Sequence, residues 1–451
     1  MKHRYTPKHA TPSPRTQTIS SLALAVVLTG TGLLPAQATE EHTPAPAQQV
    51  QETAGPEFYT QQESPEALIA PSFYEIPAQL PAANGAVIKH EPIQFWKDPN
   101  FVIRGNAATT QRIMYKSTNF KGEPVAVTGT AFTSKAKWRG PGERPVVVVA
   151  PGTQGVGDAC APSNQIQVGT EYESLAISPL LDAGYNVVMT DYVGSGTEGT
   201  HSYLNRVDQG NAVLDAARAA SDPALGLGSA QVPVGIWGYS QGGGAAASAG
   251  ELQPTYAPEL NLKGIYAGAI PADLNAVTNK IDGTVYNGFM LMGLVGLGDS
   301  YGVDYSQYLN DAGMKTIEKA RDVCTTDAIG AFGSVRNTGA WTKSGQKISQ
   351  LMQADSTFAE ITRENNLGEQ GRAPQAPILI ASSWGDDVIP HRANRQLAKK
   401  YCEAGANVSF YMGSTPTHAM SMLTMMPRAL IFMDRQFKGL PNSQDCWQVG
   451  G

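Results

Sequence analysis

The distribution of apolar residues along the chain predicts an alternation of buried strands and helices. Six short runs are apolar and rich in β-branched residues, as expected of strands that are covered on both faces. They occupy residues 145–150, 186–190, 232–237, 262–267, 377–381 and 408–411. Helical patterns lie between them at residues 210–220, 242–252, 393–403 and 419–437. This alternation predicts an α/β protein with a mostly parallel sheet that has helices on both faces.

One long interval interrupts the alternation. Residues 271–372 separate the fourth predicted strand from the fifth and contain no clear buried strand. Helical patterns occur at residues 310–321 and 348–360, and residues 288–298 are apolar and rich in glycine. We interpret the interval as a helical cap, or lid, inserted over the C-terminal edge of a core formed by residues 86–270 and 373–451. An ordinary core helix is the alternative for the apolar run.

The N-terminal region has the composition of a targeting segment. Four cations and no acid precede an apolar run at residues 20–34, which is followed by A-Q-A ending at Ala38. This order predicts a secretory signal peptide over residues 1–38. The apolar run is shorter than the roughly 20 residues that a bilayer requires, so we expect no transmembrane segment in the mature protein. Residues 39–85, rich in Ala, Pro, Gln and Glu, predict a flexible tail.

Composition excludes one class of partner. The 451 residues are 41% apolar and 16% charged, with 33 Lys and Arg against 39 Asp and Glu. The net charge of −6 becomes −10 once the four signal-peptide cations are removed. Because nucleic-acid binding relies on a basic excess that neutralises phosphates, we expect no nucleic-acid partner.

Four cysteines remain in the predicted exported part, without the C-x-x-C spacing of zinc or redox sites. We therefore expect two disulfides and no metal. Four cysteines allow three pairings. Position along the chain favours Cys160–Cys324, which would clamp the cap, and Cys402–Cys446, which would tie down the C-terminal tail. Free buried thiols are the alternative.

The most specific motif follows the third predicted strand. Residues 238–242 read G-Y-S-Q-G and lead into a run of Gly and Ala. In a strand-turn-helix context, G-x-S-x-G is typical of a sharp elbow that projects a nucleophilic serine. The motif points to Ser240 as the nucleophile, with a chance glycine turn as the alternative.

A serine nucleophile needs a base and a carboxylate, which in this architecture follow it in the order Asp, then His. Of the seven histidines, His90 and His201 precede Ser240, and only His391 and His418 follow it. His391 is adjacent to the best acids, whereas acid and base should come from two strand ends, so His418 is favoured.

Two neighbouring carboxylates are candidates for the acid. Asp386 and Asp387 both follow the fifth predicted strand. The pattern favours Asp386, and we expect Asp387 to point away from His418. The predicted triad is therefore Ser240, Asp386 and His418.

The remaining machinery should stabilise a developing oxyanion. The backbone N–H of Gln241 is the expected first donor, and the loop after the first strand should provide the second, at Thr153 or Gln154.

A competing motif lies at residues 194–199, which match G-x-G-x-x-G after a strand. By itself this pattern suggests a dinucleotide-binding fold. Because the chain is predicted to be exported and the same sheet supplies a Ser-Asp-His set, a structural loop beside the site is the preferred interpretation.

Taken jointly, these segments resemble the secretory lipase family of α/β-hydrolases, in particular its actinobacterial branch, and are similar to yeast secreted lipases of the lipase A type. The resemblance covers roughly residues 90 to 440. It rests on residues 150–155 (APGTQG), 160–163 (CAPS), 190–197 (TDYVGSGT), 213–220 (VLDAARAA) and 237–243 (WGYSQGG).

The resemblance implies an α/β-hydrolase fold and a secreted esterase or triacylglycerol lipase that acts on lipid esters without a cofactor. It also implies the triad above, an oxyanion hole near Gln154 and Gln241, and a helical lid in transient contact with a lipid surface. Two alternatives remain open: an acyltransferase using the same acyl-enzyme, and a non-catalytic binding protein on the same fold.

Overall fold

A nine-stranded sheet runs through the computed structural model, which describes residues 71–449. The strand order is β1-β2-β3-β5-β4-β6-β7-β8-β9. The strands are β1 (Val87–Pro92), β2 (Ala107–Thr118), β3 (Pro124–Ser134), β4 (Val146–Ala150), β5 (Asn186–Val193), β6 (Val234–Tyr239), β7 (Leu262–Gly268), β8 (Ile378–Ser383) and β9 (Val408–Gly413).

The six predicted strands are the parallel part of this sheet. Strands β4 to β9 pair in parallel, and β1, β2, β3 and β5 pair antiparallel. The mostly parallel α/β fold is therefore confirmed, but β1 to β3 were not predicted. None of the three has a continuous apolar run. Every residue of β1 is at least partly exposed, and β2 and β3 bury polar side chains, including the fully buried Arg112 and Ser117 of β2. The Ser117 hydroxyl donates to Asp215 at 2.6 Å, a partner supplied by a distant helix.

Helices cover both faces of the sheet. They are α1 (Pro162–Val168), α2 (Ser174–Asp182), α3 (Arg206–Ala219), α4 (Gln241–Tyr256), α5 (Leu274–Ile281), α6 (Asn287–Tyr301), α7 (Asp311–Ala320), α8 (Thr325–Phe332), α9 (Ile348–Ala354), α10 (Ser356–Asn365), α11 (His391–Glu403), α12 (His418–Phe437) and α13 (Cys446–Val449). Apolar residues of α3, α4 and α11 pack in one core. Residues of α1, α2 and α12 share the opposite core with those of the cap helices.

Helices α5 to α10 fill the interval between β7 and β8. The apolar run at residues 288–298 lies within α6, so it is a helix as well as a glycine-rich segment. The single pattern at residues 348–360 is divided between α9 and α10. The break falls at Asp355, whose side chain accepts hydrogen bonds from the first backbone N–H groups of α10.

The two N-terminal predictions fall largely or wholly outside the described residues. The signal peptide at residues 1–38 lies outside them, as does most of the tail at residues 39–85. Residues 71–85 of the predicted tail are described and include buried side chains. Phe73 and Tyr74 are buried, and the guanidinium of Arg112 in β2 lies over both rings. The Tyr74 hydroxyl is 2.7 Å from that of Ser163.

Among residues 71–449, no helix combines the length and apolarity required to cross a membrane.

Candidate active site

The predicted elbow lies at the end of the central strand β6. Ser240 has φ 61° and ψ −124°, and α4 begins at the next residue. A side chain at Gly242 would place its Cβ 2.0 Å from the carbonyl oxygen of Ala150, so the helix packs directly against the neighbouring strand. This close approach leaves Ser240 at the apex of the turn, at the C-terminal edge of the sheet.

Ser240, His418 and Asp386 are joined by hydrogen bonds. His418 begins α12, and its Nε2 is 2.8 Å from the Ser240 Oγ. The His418 Nδ1 is 2.8 Å from the Asp386 Oδ2. Residues from the ends of β6, β8 and β9 thus meet at one point, and His418 rather than His391 pairs with Ser240.

The environment of Asp386 keeps its carboxylate ionised. Burial by itself raises the pKa of Asp386, but hydrogen bonding to His418 and the charge of that ring lower it. The backbone N–H groups of Val388 and Ile389 donate to the same carboxylate at 2.9 and 2.8 Å and lower it further. The net result is a pKa below the ordinary aspartate value, as a stabiliser of an imidazolium requires.

Asp387 does not point away from His418, which corrects the expectation from the sequence. Its Oδ1 accepts the backbone N–H of His418 at 2.7 Å. Its Oδ2 accepts the hydroxyl of Tyr286, just before α6 of the cap, also at 2.7 Å. Both carboxylates therefore hold His418, one through the ring and the other through the backbone.

The loop after β4 is anchored by two buried glutamates that sequence reasoning did not single out. The backbone N–H of Gly152 donates to Glu173 at 2.8 Å, and the Gln154 side chain donates to Glu171 at 2.9 Å. Burial raises the pKa of Glu173 to about 7. Burial, followed by the nearby charge of Glu173, raises the pKa of Glu171 well above its usual range.

The two candidate residues of this loop differ in position. Thr153 lines the same cavity as Ser240 and Gln241. The Gln154 amide is occupied by Glu171 and by Gln165, which donates to it at 3.0 Å. The geometry therefore favours Thr153 over the Gln154 side chain as a group that faces the cavity beside Ser240.

Gln241, the first residue of α4, is held by a histidine that the sequence order had set aside. The Gln241 Nε2 is 3.2 Å from the Nε2 of His201, whose Nδ1 is 3.1 Å from the carbonyl oxygen of Val193. Burial lowers the pKa of His201 to about 4, so the ring is neutral. Its Nδ1–H donates to the carbonyl, and its Nε2 accepts from the Gln241 amide.

The glycine-rich segment at residues 194–199 forms a loop. Gly194, Gly196 and Gly199 all have positive φ. The next helix, α3, begins only at Arg206, and its N-terminal N–H groups are already capped by the Asn205 side chain. The segment therefore does not present a free helix N-terminus to a phosphate, and it leads instead to His201 beside the elbow.

A cavity of about 40 Å³ lies between Ser240 and the cap. Its walls are mostly apolar and are built largely from α5 and α6. They include Leu274, Val277, Ile281, Phe289, Met290 and Met352.

The disulfides join the pairs that chain position favoured. Cys160 is bonded to Cys324, which precedes α8 of the cap, and Cys402 is bonded to Cys446. The first bond lies beside the Thr153 loop, because the backbone N–H of Thr325 donates to the Gln154 carbonyl at 2.9 Å. Within residues 71–449, no group of three or more His, Cys, Asp or Glu side chains could hold a metal ion.

Comparison with known proteins places the chain in a family. The sequence model of the family described as secretory lipase matches residues 160–445, and the chain belongs to this family. Lipase 4 of Candida albicans is 32% identical over 307 residues, which cover 64% of this chain and 65% of the relative. Secreted triacylglycerol lipase LIP5 of Malassezia globosa is 29% identical over 302 residues, covering 64% and 62%. The matched region thus spans less than two thirds of the length of these fungal relatives.

Solved structures agree on the fold. Candida antarctica lipase A in its closed state superposes with a TM-score of 0.69 at 23% identity, over 82% of this chain and 87% of that one. The rice cell wall degrading esterase LipA of Xanthomonas oryzae has a TM-score of 0.65 at 20% identity, over 80% and 100%. The fold is therefore that of the α/β-hydrolases, and the predicted export agrees with a family of secreted proteins.

Proposed function

We propose that this chain is a secreted serine carboxylester hydrolase, a triacylglycerol lipase or esterase that uses Ser240, His418 and Asp386. The observation that carries the proposal is the unbroken chain of hydrogen bonds from the Asp386 carboxylate through His418 to the Ser240 hydroxyl, with both distances 2.8 Å. Membership of the secretory lipase family supports the same assignment.

Each step of ester hydrolysis has a candidate group. The Ser240 Oγ attacks the ester carbonyl carbon while His418 Nε2 takes the hydroxyl proton, and the carbonyl π electrons move to the oxygen. The backbone N–H of Gln241 donates to that oxyanion, and Asp386 stabilises the imidazolium. Collapse of the intermediate expels the alcohol, which receives the proton from His418. Water then repeats the sequence on the acyl-enzyme and releases the acid.

The apolar cavity beside Ser240 supports an acyl ester as the substrate. An alkyl chain gains free energy by leaving water for walls such as Leu274, Val277 and Phe289. The fungal relatives that are named triacylglycerol lipases are consistent with this substrate class. We extend the proposal to removal of residues 1–38 on export, which N-terminal sequencing of the secreted protein tests.

Contact with a lipid surface is the finer part of the proposal. On the cap, Val285, Met314 and Ile329 are exposed apolar side chains. Beside the site, Trp384 is 61% exposed two residues before Asp386, and Met420 is 46% exposed two residues after His418. An insoluble ester would meet apolar side chains at both places.

Vesicle binding tests this contact. In the Ser240→Ala background, Trp384→Ala should weaken sedimentation with phosphatidylcholine vesicles, whereas Trp447→Ala should not. Trp447 is the matched control because it is also a highly exposed tryptophan, at 79%, but lies near the C-terminus. Equal effects of the two substitutions would contradict the assignment of this surface.

A fluorophosphonate and a series of p-nitrophenyl esters test the hydrolase itself. The wild-type protein should be labelled at Ser240, as located by peptide mass spectrometry, and should hydrolyse the esters. Ser240→Ala should lose labelling and at least about a thousandfold of turnover while keeping its thermal midpoint. Absence of labelling and hydrolysis in a folded wild-type protein would support the non-catalytic alternative.

The same assay separates hydrolase from acyltransferase. Glycerol or a sugar alcohol is added in water, and the products are analysed by mass spectrometry. Free acid as the main product supports the proposal, and a predominance of new esters would favour the acyltransferase.

A further inference from the structure

The loop that leads from the glycine-rich segment ends at a tyrosine on the wall of the site. Tyr203 is 4% exposed and lines the cavity together with Thr153, Ser240 and Gln241. The cap fixes its backbone, because a Cβ at Gly296 of α6 would lie 2.5 Å from the Tyr203 nitrogen. Tyr203 therefore occupies a defined position between the cap and the Thr153 loop.

The Tyr203 hydroxyl is 2.8 Å from the Thr153 Oγ1. The backbone of Thr153 is held by other groups, because its carbonyl oxygen accepts from the Thr325 Oγ1 at 2.7 Å and from the Tyr172 hydroxyl at 3.2 Å. Removing the Tyr203 hydroxyl would thus release the Thr153 side chain without freeing its backbone.

The different acidities of the two hydroxyls set the direction of this hydrogen bond. A phenol is more acidic than an aliphatic alcohol and is the stronger donor of the pair. Burial raises the pKa of Tyr203 to about 12, so the phenol keeps its proton through the neutral range. With Tyr203 donating, the Thr153 oxygen is the acceptor and its own proton is free to point into the cavity.

We propose that Tyr203 is a positioning residue that makes the Thr153 hydroxyl a donor to the oxyanion. The proposal rests on the hydrolase function above and adds to it a side-chain donor and the residue that orients it. When Ser240 attacks and the carbonyl electrons move to oxygen, the Thr153 O–H and the Gln241 N–H donate to the same oxyanion. A hydrogen bond from Tyr203 also polarises the Thr153 hydroxyl and strengthens its donation.

A double-mutant cycle tests the proposal. Thr153→Val should lower kcat by about 10- to 100-fold, because a preorganised oxyanion donor is lost. Thr153→Ser should retain most of the activity because it keeps the hydroxyl. Tyr203→Phe should lower kcat about 3- to 10-fold in the wild-type background and less than twofold in the Thr153→Val background, with little change in KM.

A second readout follows the same geometry without turnover. The phosphoryl oxygen of a fluorophosphonate occupies the position of the oxyanion, so the rate of Ser240 labelling should fall in parallel with kcat for each variant. A role limited to folding would instead lower the thermal midpoint and leave the labelling rate of the folded fraction unchanged.

Tyr115→Phe is the matched control. Tyr115 forms a similar buried pair, with its hydroxyl 2.6 Å from the Thr190 Oγ1, but it packs in the opposite core. This variant should change the thermal midpoint and not kcat.

Additive effects of Tyr203→Phe and Thr153→Val would overturn the proposal, as would wild-type kcat in Tyr203→Phe. These outcomes presuppose an active, labelled wild-type protein. Failure of the wild-type reaction would instead overturn the proposed function.

Discussion

The two sides of the candidate site are held in different ways. The serine side, formed by the elbow and the Thr153 loop, lies at the centre of the sheet, where backbones touch without intervening side chains. The acid and histidine side lies on loops after β8 and β9, the last two strands in the sheet order, where individual polar contacts hold each loop. Asp387, for example, accepts one hydrogen bond from the His418 backbone and another from the Tyr286 hydroxyl of the cap.

The two sides should therefore respond differently to substitution. Where two backbones are in direct contact there is no space for a side chain, so a single methyl group added at the elbow is expected to disrupt the fold. A loop fixed by separate hydrogen bonds loses one contact at a time, and its defects should be graded.

Gly242→Ala should abolish folding of the serine side. The new Cβ would lie 2.0 Å from the Ala150 carbonyl oxygen and 2.9 Å from that of Pro151, and neither backbone atom can move freely. We expect destabilisation by more than about 4 kcal/mol, measured as loss of soluble protein or of the unfolding transition. Gly330→Ala is the control, because that helical glycine has no atom within 4 Å of the added Cβ. A normal thermal midpoint for Gly242→Ala would contradict the close-packing argument.

Substitutions at the two neighbouring carboxylates should separate ring contacts from backbone contacts. Asp386→Asn should lower kcat by about 10⁴-fold, because the amide no longer stabilises the imidazolium and favours the other tautomer of His418. Asp387→Asn should lower it less than about fivefold, since its amide oxygen still accepts the His418 N–H and its nitrogen can donate to Tyr286.

Asp387→Ala should be intermediate, with a loss of about 10- to 100-fold as His418 shifts. Steady-state kinetics on one soluble ester ranks the three variants. A loss in Asp387→Asn equal to that in Asp386→Asn would show that the ionic charge of Asp387, and not its hydrogen bonds, is required.

The two disulfides extend this comparison, because Cys160–Cys324 lies beside the Thr153 loop and Cys402–Cys446 does not. Replacing Cys402 and Cys446 by Ala opens a loop of 44 residues and should lower the free energy of unfolding by up to about 4 kcal/mol without changing kcat. Replacing Cys160 and Cys324 opens a loop of 164 residues, for which the same relation gives about 5 kcal/mol.

The second double variant should also lower kcat, because Thr325, next to Cys324, holds the Thr153 carbonyl at 2.7 Å. Denaturant unfolding and ester kinetics measure the two effects. An unchanged kcat after loss of Cys160–Cys324 would mean that packing alone fixes the Thr153 loop.

The buried Glu173 predicts a pH-dependent effect on stability. The pKa of Glu173 is raised from 4.5 to about 7, so the folded protein retains a proton that the unfolded chain releases. The wild type should therefore lose stability as the pH rises from about 4.5 to 7, by at most roughly 3 kcal/mol. Glu173→Gln carries no charge and still accepts the Gly152 N–H. The stability of this variant relative to the wild type should rise between about pH 4.5 and 7, and this difference should stay constant above about pH 7.

Thermal midpoints at pH 5, 6, 7 and 8 test this prediction. Glu259→Gln is the control with the opposite sign, because its surface carboxylate pairs with Arg218 and its pKa is lowered. A stability difference for Glu173→Gln that did not change with pH would mean that Glu173 does not titrate in this range. The neighbouring Glu171 would then be the first candidate for the group with the raised pKa.

Much of the fold and of the site could be predicted from the sequence. The six parallel strands are continuous apolar runs, and a run that is buried on both faces is visible without its partners. Ser240 was found from a local motif, and Asp386 and His418 from their order along the chain. In contrast, β2 and β3 bury polar residues whose partners come from remote elements, and β1 is partly exposed along its whole length, so no local pattern indicates these strands.

Local pattern and chain order are sufficient to predict the alternation of strands and helices and the three side chains that we propose as the catalytic triad. The groups that hold those side chains become apparent only in the folded chain. Tyr203 is 50 residues from Thr153, and Tyr286 is 101 residues from Asp387. His201 was set aside because it precedes Ser240, yet it contacts Gln241. A hydrogen bond depends on the distance between two atoms in the folded chain, and the spacing of residues in the sequence does not specify that distance.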